Sequence, residues 1–216
     1  MKKNGVKPLL VLLGMLVFTV RAHAAFPLST DDIGTIPAGT YEMEAGYERV
    51  SLTGGHESGV GIALKHGITD KMDFIISMPV QFEPEVVNMA GPLEAGGRLR
   101  IIEDLFTFTF TNTLGSTECF FNAVFTHEFK PVIVHVNAGY EASGDNGVAG
   151  GAVISAAFEY PLNKYDIVGE IIKDDTVGWL LGTRYKLDDK TFVAIGVGNS
   201  FETAACKIAF GFHREF

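Results

Sequence analysis

The chain has 216 residues, 47% of them hydrophobic and 20% charged, with 17 Lys and Arg against 26 Asp and Glu and only two cysteines. So acidic a chain lacks the clustered Lys and Arg that phosphate binding needs, which argues against a nucleic-acid partner. No CxxC, HxH, HExxH or EF-hand spacing is present, so no metal is expected. The glycine runs Gly147–Gly151 and Gly196–Gly198 are followed by no helix and closed by no Lys-Ser/Thr, so no nucleotide cofactor is expected either.

Residues 1–24 read as a signal peptide. Lys2, Lys3 and Lys7 form a basic start, Leu9–Val20 is an apolar run, and Ala22-His23-Ala24 is an A-x-A cleavage site. The 12 apolar residues fall well short of a membrane-spanning helix. The mature chain then starts near Ala25 with a formal charge of −13. Residues 25–39, from Phe26-Pro27-Leu28-Ser29-Thr30-Asp31-Asp32 through Pro37 and Gly39, show no helical period. They are expected to form a periplasmic leader or a short plug.

From Thr40 onward the chain alternates. Tyr41, Met43, Ala45 and Tyr47 interleave with Glu42, Glu44, Gly46 and Glu48, the period-2 signature of a strand with one apolar and one acidic face. Further strands are expected near 59–68, 71–82, 94–103, 105–114, 118–129, 131–141, 148–159, 164–173, 177–187, 190–199 and 204–216, making about twelve. Most have the length that a tilted strand needs to cross a bilayer. Pro79 is unwelcome in a paired strand and predicts a bulge there.

Three features favour an all-β, transmembrane antiparallel up-and-down β-barrel over 40–216 rather than a soluble sandwich. Connections after even strands are short, while most of those after odd strands, such as 53–58 and 83–93, are longer. Tyr41, Phe106, Phe129, Tyr160, Tyr165, Tyr185 and Phe216 collect at one expected end, and Phe82, Tyr140 and Trp179 at the other, as interfacial girdles. The last strand, with Phe210, Phe212 and Phe216 on its apolar face, is a candidate closing strand for recognition by a barrel-assembly machinery in the bacterial outer membrane. Cys119 and Cys206 should face lipid half a barrel apart and stay unpaired.

With apolar side chains outward, the lumen-lining candidates are Glu42, Glu44, Glu48, Lys65, Asp73, Arg98, Arg100, His135, Asn137, Glu141, Glu159, Glu170 and Arg184. Charges of both signs inside a barrel must find water or partners. They either steer a solute or fill the interior with ion pairs. His135, Asn137 and Glu141 share one face, and the expected hairpin register sets Ser155 beside His135. A lipid-cleaving barrel would aim its nucleophile at the membrane, however, and no G-x-S-x-G elbow occurs, so the chain is not expected to be an enzyme.

Pro27–Thr35 followed by Gly39–Glu48 resembles the opening of the outer-membrane transporter family named after the meta-cleavage pathway of phenol degradation. Gly67–Asp73, His135-Val136-Asn137, Gly182–Leu187 and the terminal Phe are similar too. The resemblance implies a barrel that carries small solutes, aromatic or hydrophobic compounds among them. The expected function is thus an outer-membrane channel or transporter, with outer-membrane lipid, the assembly machinery and a small-molecule solute as partners. The alternatives are a non-conducting structural or interaction barrel and a lipid-modifying barrel enzyme.

Overall fold

The computed structural model describes residues 26–52, 54–84, 89–142, 150–203 and 205–216; the expected signal peptide lies outside them. Among the described residues there is no helix. Twelve strands follow in order: β1 (Tyr41–Leu52), β2 (Gly55–Thr69), β3 (Met72–Glu83), β4 (Glu94–Ile102), β5 (Phe106–Thr113), β6 (Cys119–Phe129), β7 (Val132–Ala142), β8 (Gly151–Leu162), β9 (Tyr165–Lys173), β10 (Val177–Asp188), β11 (Thr191–Ser200) and β12 (Cys206–Glu215). Each pairs antiparallel with its sequence neighbours, and β12 closes on β1 from Glu42 opposite Glu215 to Ser51 opposite Cys206. Tyr41 and Phe216 exchange backbone hydrogen bonds, so the closure reaches the last residue.

The alternation fixes which side chains point in. Ile62, Leu64, Phe74, Phe125, Ile171 and Phe210 face outward and are exposed, whereas the carboxylates, Lys65 and the arginines of the lumenal set point inward. A soluble monomer rarely exposes more than a few hundred Å² of contiguous apolar surface, so a belt around the whole wall is a surface made for hydrocarbon. The girdle residues behave as expected: Tyr41, Phe129, Tyr165 and Phe216 are exposed at the end carrying the short turns, and Phe82 and Tyr140 at the end carrying the loops. Both cysteines are free, on the outward faces of β6 and β12.

Asp104 (φ 56°) and Asn163 (φ 50°) take left-handed conformations in the turns β4–β5 and β8–β9, which short polar side chains tolerate by hydrogen-bonding locally. Two expectations fail near the first hairpin. Residues 53–58 were expected as a loop, but pairing of β1 with β2 continues to Leu52 opposite Gly55, so the connection is tight. Of the two β2–β3 irregularities, one lies at Ser58 and Gly59, opposite Gln81 and Glu83, and the other between Gly67 and Thr69 at the turn; neither is at Pro79. Pro79 is accommodated differently. β3 pairs with β4 only from Met72 to Ser77, and beyond it the Gly91 amide donates to the Pro79 carbonyl at 2.8 Å. No strand asks Pro79 for the amide it lacks.

Candidate functional site: the lumen and the segment across it

Residues 26–36 lie inside the barrel and run around its wall. Gly39 donates to the Gly67 carbonyl at 2.8 Å, tying the start of the excursion to the turn end. The Ile36 amide donates to Asp73 at 2.9 Å, and Thr107 donates to the Ile33 carbonyl at 2.7 Å. Asn137 then clamps Asp31 from both sides: its Oδ1 accepts from the Asp31 amide at 2.7 Å and its Nδ2 donates to the Asp31 carbonyl at 2.9 Å. Glu170 takes three donors through one oxygen, the Ser29 and Thr30 amides at 2.8 and 2.9 Å and the Thr30 hydroxyl at 2.9 Å. Bonds to a charged acceptor contribute roughly 1.5–3 kcal/mol each, so Glu170 is the strongest polar anchor.

The remainder of the segment packs by shape. Leu28 joins Ala157, Val168, Leu180 and Ala209 in a small apolar cluster, with Phe26 against it. These residues are on lumenal positions of β8, β9, β10 and β12, which is why the interior has a core at all. Phe26 lies over Gly46 and Gly211, and a β-carbon at either would overlap its ring. Pro27 lies over Gly182 and Gly196, where a β-carbon would come within 2.9 and 3.1 Å of it. Four lumenal positions lack side chains, and the segment occupies that space.

All thirteen lumen-lining candidates occupy inward positions, and most form pairs. Lys65 Nζ sits between Glu42 and Glu44 at 2.6 and 2.8 Å. Arg98 grips Asp73 at 2.8 Å, Arg184 grips Glu159 at 2.7 Å, and Lys207 meets Glu48 at 2.6 Å. Arg184 also donates to the Phe26 carbonyl at 3.1 Å, joining wall and segment. Arg100 hooks onto the Asp70 carbonyl at the turn end, and Glu141 is exposed at the loop end. Phe210 and Phe216 of the closing strand are exposed on the outer face, Phe212 is half-buried on the same face, and Arg214 lies over the Phe216 ring at 5.4 Å.

The expected pairing of Ser155 with His135 is not found. Ser155 stands opposite Asn137, and Ala157 opposite His135. His135 Nδ1 bonds Thr126 at 2.7 Å, and its Nε2 lies 3.5 Å from Glu159, itself held by Arg184. Ser155 is therefore not the neighbour of that imidazole, and the expected Ser155–His135 constellation does not form. Glu42, Glu44 and His213 bring ligand atoms within 4.8 Å of one another, but the Lys65 ammonium already sits between the two carboxylates.

Phe26, Leu28, Thr30, Asp31 and Ile36 are the site residues that the strand pattern misses, because irregular backbone has no period. The usable signal was on the wall: Gly46, Gly182, Gly196 and Gly211 all fall on the lumenal face, Gly46 between Glu44 and Glu48. Space is left on either side of the segment. A cavity of about 660 Å³ opens toward the loops, floored by Phe26 and Leu28 and walled by Glu44, Glu48, Gly59, Gly61 and Ser77. A smaller one of about 210 Å³ opens toward the turns beside Asp166, Arg184, Lys186 and His213.

A closed twelve-stranded barrel with an apolar exterior, a charged lumen and a segment laid across that lumen defines the class: a membrane-spanning β-barrel of porin-like architecture. No family model matches the chain, and no curated protein matches it. Solved structures do. The KdgM porin in complex with disordered oligogalacturonate superposes with a TM-score of 0.60 at 11% identity, over 81% of this chain and 99% of that one. An outer membrane channel from Pseudomonas putida F1 gives 0.60 at 11% identity, over 88% and 100%. The KdgM porin alone gives 0.59 at 12% identity, over 80% and 99%. At such identities the likeness is one of fold.

Proposed function

We propose that the chain is a bacterial outer-membrane channel for small solutes in which residues 26–36 act as a plug that narrows the lumen at mid-height. The observation that carries this reading is the plug's hydrogen bonding to every second strand round half the wall, Asp73 on β3, Thr107 on β5, Asn137 on β7 and Glu170 on β9. A barrel needing only a filled interior has cheaper solutions in its own side chains; a separate strip of chain leaves a cavity on each side of itself. The short turns then face the periplasm and the loops the exterior. Phospholipid covers the belt, and the strand ending at Phe216 serves the assembly machinery.

The solutes are small aromatic or otherwise apolar molecules, in keeping with the sequence resemblance and with the Phe26–Leu28 floor. The oligogalacturonate held by the KdgM porin does not transfer to this chain, because a polyanion would meet Glu44, Glu48 and Glu57 at the entrance. The reading is tested by single-channel current in planar bilayers. The intact protein should conduct weakly, and deletion of Phe26–Ile36 should raise conductance severalfold while the barrel keeps its heat-modifiable migration. Silence from both proteins at high load would leave a non-conducting structural barrel instead. For the location, the protein should fractionate with outer membranes, and deleting Phe216 should lower the yield of heat-modifiable barrel.

A further inference from the structure

We infer that the loop-side cavity is a binding site for organic cations with a flat apolar body, a solute class more restricted than the channel reading on which it rests. The floor is apolar: the Phe26 ring lies on glycine backbone at Gly46 and Gly211, with Leu28 beside it. The β1–β2 wall above it is stripped of side chains at Gly59 and Gly61, and nothing lies within 4 Å of where a Gly61 β-carbon would be. A planar group can therefore approach the floor along that wall.

The charge around this floor is one-sided. Glu42, Glu44, Glu48, Glu57 and Glu83 stand in or beside the cavity, against Lys65 and Lys207, which leaves three formal negative charges with His56 neutral. Neither lysine is available to an anion: Lys65 is held between Glu42 and Glu44, and Lys207 by Glu48 at 2.6 Å. Glu57 faces the lumen with no cation paired to it among the described residues, and Glu83 is held by His56 at 2.8 Å and the Ser58 hydroxyl at 2.8 Å. Elsewhere in the lumen the arginines are likewise taken up by carboxylates, Arg98 by Asp73 and Arg184 by Glu159.

A concave site with low-dielectric walls focuses such a field and raises the local concentration of cations. The volume of about 660 Å³ suits a one- or two-ring molecule. The ring would settle on Phe26 and Leu28, and the charged end would point to Glu48 and Glu57.

The test is calorimetric titration of the full mature protein in nanodiscs of zwitterionic lipid, with empty discs as the control. Three probes share one ring: benzyltrimethylammonium, benzyl alcohol and benzenesulfonate. The cation should bind at least tenfold more tightly than the alcohol, and the sulfonate should give no heat above the control. Glu57→Gln alone, at an exposed position, should narrow the gap, and adding Glu48→Gln should bring it below threefold without changing the affinity for the alcohol. Phe26→Ala should weaken both. Equal affinity for the three probes, or a gap that survives the double variant, would overturn the site. Bilayer conductance of the same preparations separates the two readings. Conductance without cation preference removes the site and leaves the channel, whereas selective binding without conductance keeps the site and removes the channel.

Discussion

The walls formed by β1–β3 and by β6–β10 face one lumen, yet they are built differently. The β6–β10 wall is crowded: Asn122, Asn137 and Glu170 hold the plug, Glu159 and Arg184 pair, and Leu28 packs on Ala157, Val168 and Leu180. The β1–β3 wall carries Gly46, Gly59 and Gly61, and the larger cavity lies against it. The contrast teaches that an open path in a narrow barrel depends on where side chains are withheld. The β6–β10 wall takes most of the plug's hydrogen bonds, while the β1–β3 wall, which adds the bond at Asp73, leaves room beside it.

The largest effect should come from the buried cluster around Lys65 on the open wall. Lys65→Met removes the ammonium between Glu42 and Glu44 and leaves two carboxylates facing each other, with side chains only 3% and 18% exposed. Breaking a buried pair costs about 3–5 kcal/mol, so the folded, heat-modifiable band should be lost at a clearly lower temperature. Lys207→Met opposite Glu48, which is 40% exposed, is the control. Solvent screens that pair, and less than about 1 kcal/mol should be lost. Equal effects would mean that the two ends of this wall are equally wet.

On the crowded wall, Glu170→Ala removes the acceptor of three hydrogen bonds. A loss of about 3 kcal/mol shifts the ratio of seated to unseated plug by roughly a hundredfold. Conductance should become noisy and rise severalfold while barrel stability changes little. A smaller effect should follow from bulk on the opposite wall. Gly61→Leu fills open space in the cavity, where nothing lies within 4 Å of the added β-carbon, and should lower solute flux in liposome swelling about twofold. If Gly61→Leu left flux unchanged while Ala157→Leu lowered it, the path would run along the crowded wall.

The contrast between wall and plug also divides what the sequence made legible. Period-2 alternation fixes facing, so every lumenal candidate from Glu42 to Arg184 could be placed inward, and the outward rings sorted to their ends. Register is another matter. It depends on the exact alignment of each hairpin, and across the long β7–β8 connection the expected alignment was off by two residues, setting Ser155 beside His135 instead of Asn137. A two-residue slip keeps the facing intact, and hydrophobic pattern cannot detect it. The plug lies beyond both kinds of signal. Its bonds go to side chains 37 to 158 residues away, from Ile36 to Asp73 and from Phe26 to Arg184.

The smallest predicted effect concerns the plug's own charge. Asp32 is 1% exposed and belongs to the segment, not to a spanning strand. Burial pushes its carboxyl well above the ordinary value of 3.8, against the pull of Arg98 and Lys65 and with the help of Glu159. A seated carboxyl with a raised pKa favours the protonated form. Seating is therefore tightest below pH 3.8, weakens as pH climbs from there toward the raised value, and changes no further above it. Open probability in bilayers should rise across that window. Asp32→Asn, which stays neutral, should hold the low-pH behaviour throughout. Since Arg98 is already gripped by Asp73 through both its Nε and Nη2, the variant leaves no unpaired cation behind. A pH response in Asp32→Asn as large as in the intact protein would move the titrating group from the plug to the wall.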